Sequence, residues 1–143
     1  MSETIAKKKK KVKGITSKSK KKTAIARAVI RQGKGTIRIN RTSLKVYGTK
    51  YIRELIKEPL EIAEPLSNEV DIEVNIQGGG SMAQALSART AIAKALVNYF
   101  GEKKLKEKII KYDRNLLVDD SRRKEPKKPL GRGARAKKQL SYR

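Results

Sequence analysis

The chain has 143 residues, with 37 Lys or Arg against 14 Asp or Glu, and a formal charge of +23. It contains no Cys and no His, which excludes disulfides, zinc fingers and thiol or imidazole catalysis together, and no apolar run approaches the ~18 residues that span a bilayer. A length like this holds one domain, and a charge like this calls for a polyanion, with nucleic acid ahead of an anionic membrane surface.

Residues 1–22 carry ten Lys and one acid, Glu3, a net +9. The opening MSETIAKKKKKVKG has a basic run but no apolar stretch after it, so no signal peptide is read. KKKKKVKG over 7–14 and SKSKKK over 17–22 hold too few apolar groups to offset ordering entropy. Residues 1–22 are therefore expected to form a disordered basic extension. The absence of Cys fits a reducing compartment.

Residues 23–31, TAIARAVIR, alternate with a period of two and predict a strand. Gln32-Gly33-Lys34-Gly35 is a loop of hairpin length. Residues 36–40, TIRIN, put Ile37 and Ile39 on one face and Arg38 on the other. The two segments are expected to pair as a β-hairpin. From residue 49 or 50 to 56, Tyr51, Ile52, Leu55 and Ile56 share one helical face. Pro59 is expected to end or restart that helix. Leu60, Ile62 and Ala63 then suggest a brief second turn, stopped near Pro65.

Residues 70–77, VDIEVNIQ, give the cleanest alternation: Val70, Ile72, Val74 and Ile76 against Asp71, Glu73, Asn75 and Gln77. This is the pattern of a half-buried antiparallel strand. Gly78-Gly79-Gly80-Ser81 ends it. A long helix is predicted over 82–100, with Met82, Ala85, Leu86, Ile92, Ala93, Leu96, Tyr99 and Phe100 at three and four spacing, and Gly101 as its C-cap. A Lys-rich helix follows over 102–111, burying Leu105, Ile109 and Ile110. Leu116-Leu117-Val118 suggests a last short strand. Residues 23–120 thus read as one α+β domain, a mostly antiparallel sheet with helices on one face. Residues 121–143 carry ten Lys or Arg and one acid, Glu125, again a net +9. Pro126, Pro129, Gly131 and Gly133 break helix and strand alike, so this segment is an extended basic tail.

Within this frame, GGGSMAQA at 78–85 has two readings. Free N–H groups and the helix dipole at a strand-to-helix junction attract phosphate; equally, the segment is a tight turn capped by Ser81. It is not a Walker A loop, since no Gly-Lys-Ser/Thr follows. Lys20, Lys21 and Lys22 stand immediately before a strand carrying Arg27 and Arg31, and all five suit phosphate contacts. For Arg27 a solvated face is an equal alternative. Arg89, on the long helix, is a candidate RNA contact or a salt-bridged residue at the core edge. Aromatics for base stacking are scarce outside Tyr142, so phosphate and shape recognition is expected rather than base readout.

Three ordered blocks carry a resemblance. KKKTAIARAVI at 20–30 with GKGTIRIN at 33–40, GGGSMAQALSARTAIAKAL at 78–96, and DDSRRKEPKKPLGRGARAKKQLSYR at 119–143 resemble the S-nine family of small-subunit ribosomal proteins, in its archaeal and eukaryotic form. The resemblance implies an S-five domain-two-like fold, α+β, with long basic tails and a left-handed crossover between parallel strands, against the usual rule. It implies no enzyme and no cofactor or metal, and a cytoplasmic place in the head of the small ribosomal subunit beside other head proteins. The small-subunit rRNA, in its 3′ major domain, would be the main partner. Contacts to it would come from Lys20, Lys21, Lys22, Arg27, Arg31, Gly78, Gly79, Gly80, Ser81, Gln84 and Arg89. The tail would add Arg122, Arg123, Lys124, Lys127, Lys128, Arg132, Arg135, Lys137 and Lys138. Tyr142 and Arg143 would reach the anticodon stem-loop of the P-site tRNA. Two rival readings are a DNA-compacting protein, which shares the charge, and a small-molecule kinase of related fold binding nucleotide at 78–81.

Overall fold

A computed structural model of the protein describes residues 14–136 and 141. Among these, five strands form one sheet: β1 (Ile15–Lys21), β2 (Ala24–Gln32), β3 (Ile37–Ile39), β4 (Thr42–Ser43) and β5 (Val70–Gln77). Their spatial order is β1-β2-β5-β3-β4. The pairs β1–β2, β2–β5 and β3–β4 are antiparallel, and β3–β5 is parallel. Three helices accompany the sheet: α1 (Lys50–Ile62), α2 (Ser81–Phe100) and α3 (Lys103–Tyr112), with short 3-10 turns at Leu66–Glu69 and Arg114–Leu116. The fold is α+β with a mostly antiparallel sheet, as the sequence predicts. None of these helices is long and apolar enough to cross a membrane.

Period-two alternation puts Ala26, Ala28 and Ile30 of β2 and Val70, Ile72, Val74 and Ile76 of β5 on the buried face. α2 covers β1, β2 and β5 there. It meets them through Ala85, Ala88, Ala91, Ile92, Ala95 and Leu96, all fully buried. Alanines on both sides let helix and sheet approach closely, and each buried Ile or Leu contributes about 1.5–3 kcal/mol. Ile52, Ile56 and Leu60 of α1 and Leu105 and Ile109 of α3 complete the core. Gly101 ends α2 in the left-handed region at φ 64°, its N–H donating to the Val97 carbonyl at 2.9 Å. The other face of the sheet is open: Lys18, Arg27, Arg31, Glu73 and Asn75 are exposed.

Several expectations change. Residues 15–21 are a strand, so the globular part begins before residue 23; the rest of the expected extension, 1–13, lies outside the described residues. β1 buries small polar groups in place of apolar ones. Ser17 is 7% exposed and accepts a hydrogen bond from Asn98 at 3.0 Å; Ser19 is 1% exposed and donates to Asp119 at 2.9 Å. Buried hydroxyls satisfied in this way carry little penalty. The expected hairpin of 23–31 with 36–40 does not form, because β5 is inserted between β2 and β3. β2 instead makes its hairpin with β1, where Lys21 faces Ala24 across a two-residue turn. α1 runs unbroken through Pro59. The ring is buried beside Ile56 and Leu60, and that packing offsets the lost N–H bond. Ile110 is 45% exposed rather than buried, and Leu116 enters the core from a 3-10 turn rather than a strand.

Candidate nucleic-acid interface

The β1–β2 turn, the glycine loop and the start of the tail meet at one pole of the domain. The turn presents Lys22 at φ 54°, flanked by Lys20 and Lys21. β5 delivers Gly78 and Gly79 beside it, at φ 74° and 72°. A Cβ on Gly78 would stand 2.7 Å from the Thr23 carbonyl oxygen, and one on Gly79 would stand 2.8 Å from the Ala24 Cβ. Only glycine combines that backbone with that approach. Gly80 differs: its φ is −89°, and a Cβ there meets nothing within 4 Å. It is the N-cap of α2, and no side chain among the described residues caps the helix. The expectation of Ser81 as cap is corrected; Ser81 is the first helical residue. Gly80, Ser81 and Met82 are exposed, so the positive end of a 20-residue helix opens outward without a side-chain acceptor among the described residues. Gln84 is occupied locally, its amide donating to the Gly78 carbonyl at 3.2 Å.

This separates two substitutions. Gly79→Glu should destabilise the domain whatever it binds, through strained backbone and the Ala24 contact. Gly80→Glu should alter stability by less than about 1 kcal/mol, yet weaken RNA binding several-fold by setting a carboxylate where phosphate would sit. Thermal melts and filter binding at one salt concentration check both. Unaltered binding by Gly80→Glu would mean that the loop takes no phosphate.

The tail leaves beside this turn. Asp119 Oδ1 accepts from Ser19 Oγ at 2.9 Å, the Lys20 N–H at 3.2 Å and Lys94 Nζ at 2.7 Å. Burial raises the Asp119 carboxyl, but the hydrogen bonds from Lys94, Ser19 and Lys20 outweigh it and hold it below its ordinary value. Asp120 pairs with Lys21 at 2.7 Å and with Arg122 at 2.8 Å, and its N–H donates to the Lys20 carbonyl at 3.2 Å. Arg122, then Lys21, hold its carboxyl well below the usual carboxylate range. A cleft of about 620 Å³ opens next to these pairs, lined by Lys22, Thr23, Arg122, Arg123 and Lys124. Its named lining is cationic, with no carboxylate among these described residues.

The expected contact residues therefore divide. Lys20, Lys21, Lys22, Gly78, Gly79, Gly80, Ser81, Arg122, Arg123 and Lys124 gather at the pole. Arg27 and Arg31 lie elsewhere, on the open sheet face, with Lys18 facing Arg27 and Asp71 facing Arg31 across the strands. Arg89 is not free: its side chain is 13% exposed, pairing with Glu58 of α1 and, at 3.3 Å, with Asp113 beyond α3. The core-edge alternative is what the structure holds. Lys127, Lys128, Arg132 and Arg135 are exposed along the tail, with Arg135 paired to Glu125 at 2.9 Å. Lys137, Lys138, Tyr142 and Arg143 lie outside the described residues. Sequence reasoning missed Ser19, Lys94, Asp119 and Asp120. The available signal was the pair of acids at the start of a strongly basic segment.

The chain matches the family model described as "Ribosomal protein S9/S16" over residues 19–143. A relative from Picrophilus torridus, named "Small ribosomal subunit protein uS9", is 52% identical over 124 residues, covering 87% of this chain and 93% of the relative. Relatives of the same name from Thermoplasma volcanium and Thermoplasma acidophilum are 46% identical over 129 residues and 50% identical over 124. They cover 90% and 87% of this chain, and 98% and 96% of their own lengths. Both the matched span and these near full-length relatives take in β2, the glycine loop and the tail root, and the chain belongs to the ribosomal protein S9/S16 family.

Proposed function

We propose that this chain is a structural constituent of the small ribosomal subunit, in the cytoplasm, and that it binds small-subunit rRNA at the pole just described. The observation that carries the reading is the convergence of three cationic elements from distant parts of the sequence. These are the lysine turn at 20–22, the uncapped start of α2 at Gly80–Ser81, and the tail root at 122–124. Repulsion among such groups costs free energy in the isolated protein and is relieved by polyphosphate. The exposed basic residues of the tail extend the same surface, and Arg27 and Arg31 offer phosphate contacts on the open sheet face. Contacts of this kind give affinity without reading sequence.

The finer assignments follow the family: a place in the subunit head against the 3′ major domain of the rRNA, with other head proteins as neighbours, and a tail end that contacts the anticodon stem-loop of P-site tRNA. Tyr142 and Arg143 would make the tRNA contact. A guanidinium fork suits a bidentate phosphate contact better than an ammonium does. The test is reconstitution of small subunits with the intact chain and with the chain lacking Arg143. Both should assemble equally. Subunits without Arg143 should hold P-site tRNA more weakly by about 1–3 kcal/mol. Equal tRNA retention would remove the tRNA assignment; failure of the intact chain to enter subunits would remove the ribosomal one.

A further inference from the structure

Six cations crowd the tail root: Lys20, Lys21 and Lys22 of the turn, and Arg122, Arg123 and Lys124 of the tail. On charge alone the tail would be driven off the turn. Two carboxylates oppose this, and each is built into the domain rather than hung from it. Asp119 binds both the Ser19 hydroxyl and the Lys20 backbone N–H of β1, and also Lys94 of α2. Asp120 is fixed to β1 by its own N–H and by Lys21. Its oxygens then turn the next residues, accepting from the Arg122 N–H at 2.9 Å and from the Arg122 guanidinium. Beyond this point residues 121–130 are all exposed. The side-chain hydrogen bonds described for them join Arg122 to Asp120 and Glu125 to Arg135.

We infer that Asp119 and Asp120 are positioning residues for the tail: they fix the direction in which it leaves the domain and hold Arg122, Arg123 and Lys124 against the lysine turn. A short side chain is required, since a carboxylate must reach backbone N–H groups close to its own Cα. A tail whose first residues are already aimed loses fewer conformations on binding than one free from the 3-10 turn at Leu116 onward. The pair thus works by preorganisation and touches no phosphate itself. Its consequence for RNA affinity rests on the RNA-binding reading; the geometric claim does not.

The chain has no Cys, so introduced cysteines are the sole labelling sites. Spin labels at Glu73→Cys on the open sheet face and Lys127→Cys on the tail report the exit direction by double electron–electron resonance on the full-length protein. With both aspartates present the distance distribution should be narrow. In the Asp119→Asn/Asp120→Asn protein it should widen about twofold or more, with the melting transition retained. Affinity for an rRNA fragment should fall about three- to tenfold. Equal widths in the two proteins overturn the inference. Should the double variant not fold, Lys94→Gln with Lys21→Gln removes the two lysine pairs and leaves the Ser19, Lys20 and Arg122 bonds in place; a smaller widening is then expected, and equal widths overturn the inference. Widening with unchanged RNA affinity upholds the positioning role and counts instead against the tail as an RNA-binding element.

Discussion

Arg89→Ala should lower the stability of the domain by about 2–4 kcal/mol and leave the salt dependence of RNA binding unaltered. The guanidinium joins Glu58 of α1 to Asp113 beyond α3, with its own side chain 13% exposed. Removing it leaves two partly covered carboxylates facing each other without a cation. Breaking a buried pair from one side costs roughly 3–5 kcal/mol. The partial exposure of both acids, and an Arg89 Nε buried without a partner among the described residues, shift the expected value down from that range. A chain of this length should lose on the order of 10 °C in melting temperature. Arg89→Lys should recover only part of the loss, since a point charge does not span two acceptors as a fork does. Denaturant melts measure the first effect and binding titrations on the folded variant the second. If Arg89→Ala melted normally but made the salt slope shallower, Arg89 would be an RNA contact after all.

The domain's legibility was uneven for reasons that lie in particular residues. Val70–Gln77 and the long helix were readable because their burial is apolar and periodic. β1 was not, because its inward positions are Ser17 and Ser19. Their burial depends on Asn98 and Asp119, far away in sequence. The hairpin error has a similar origin. Residues 32–35 have hairpin length, but partner choice belongs to β5, some forty residues on, whose alternating apolar face fits β2 on one edge and β3 on the other. The glycine loop was legible as a strand-to-helix junction, while the division of labour within it was not. Gly78 and Gly79 serve the approach to Thr23 and Ala24, and Gly80 alone stands open. Nothing in the local sequence at Asp119 and Asp120 shows their role. What they do depends on side chains contributed by β1 and α2.

Deleting residues 121–143 should have the largest effect on binding. The segment carries ten of the chain's 37 basic residues and one acid. It holds half of the cations at the root cluster and all of those along the exposed tail. If the intact chain neutralises around ten phosphates, log K should fall against log salt with a slope near −7 to −9. That amounts to about four to five orders of magnitude of affinity between 50 and 200 mM salt. The domain without the tail keeps the lysine turn, Gly80–Ser81, Arg27 and Arg31. It should still bind, with a slope shallower by several units and with much less affinity at low salt. Stability should change little, because residues 121–130 lie outside the core.

The central claim is that one cationic pole and the tail leaving it together bind rRNA through phosphates. It is tested most directly by that slope, measured on a fragment of the small-subunit rRNA 3′ major domain and on duplex DNA of equal length, for the intact chain and for the chain lacking 121–143. The account predicts a steep slope on rRNA that becomes several units shallower on deletion, and tighter binding to rRNA than to DNA at every salt concentration. An unaltered slope after deletion, or equal affinity for the DNA duplex, would contradict it.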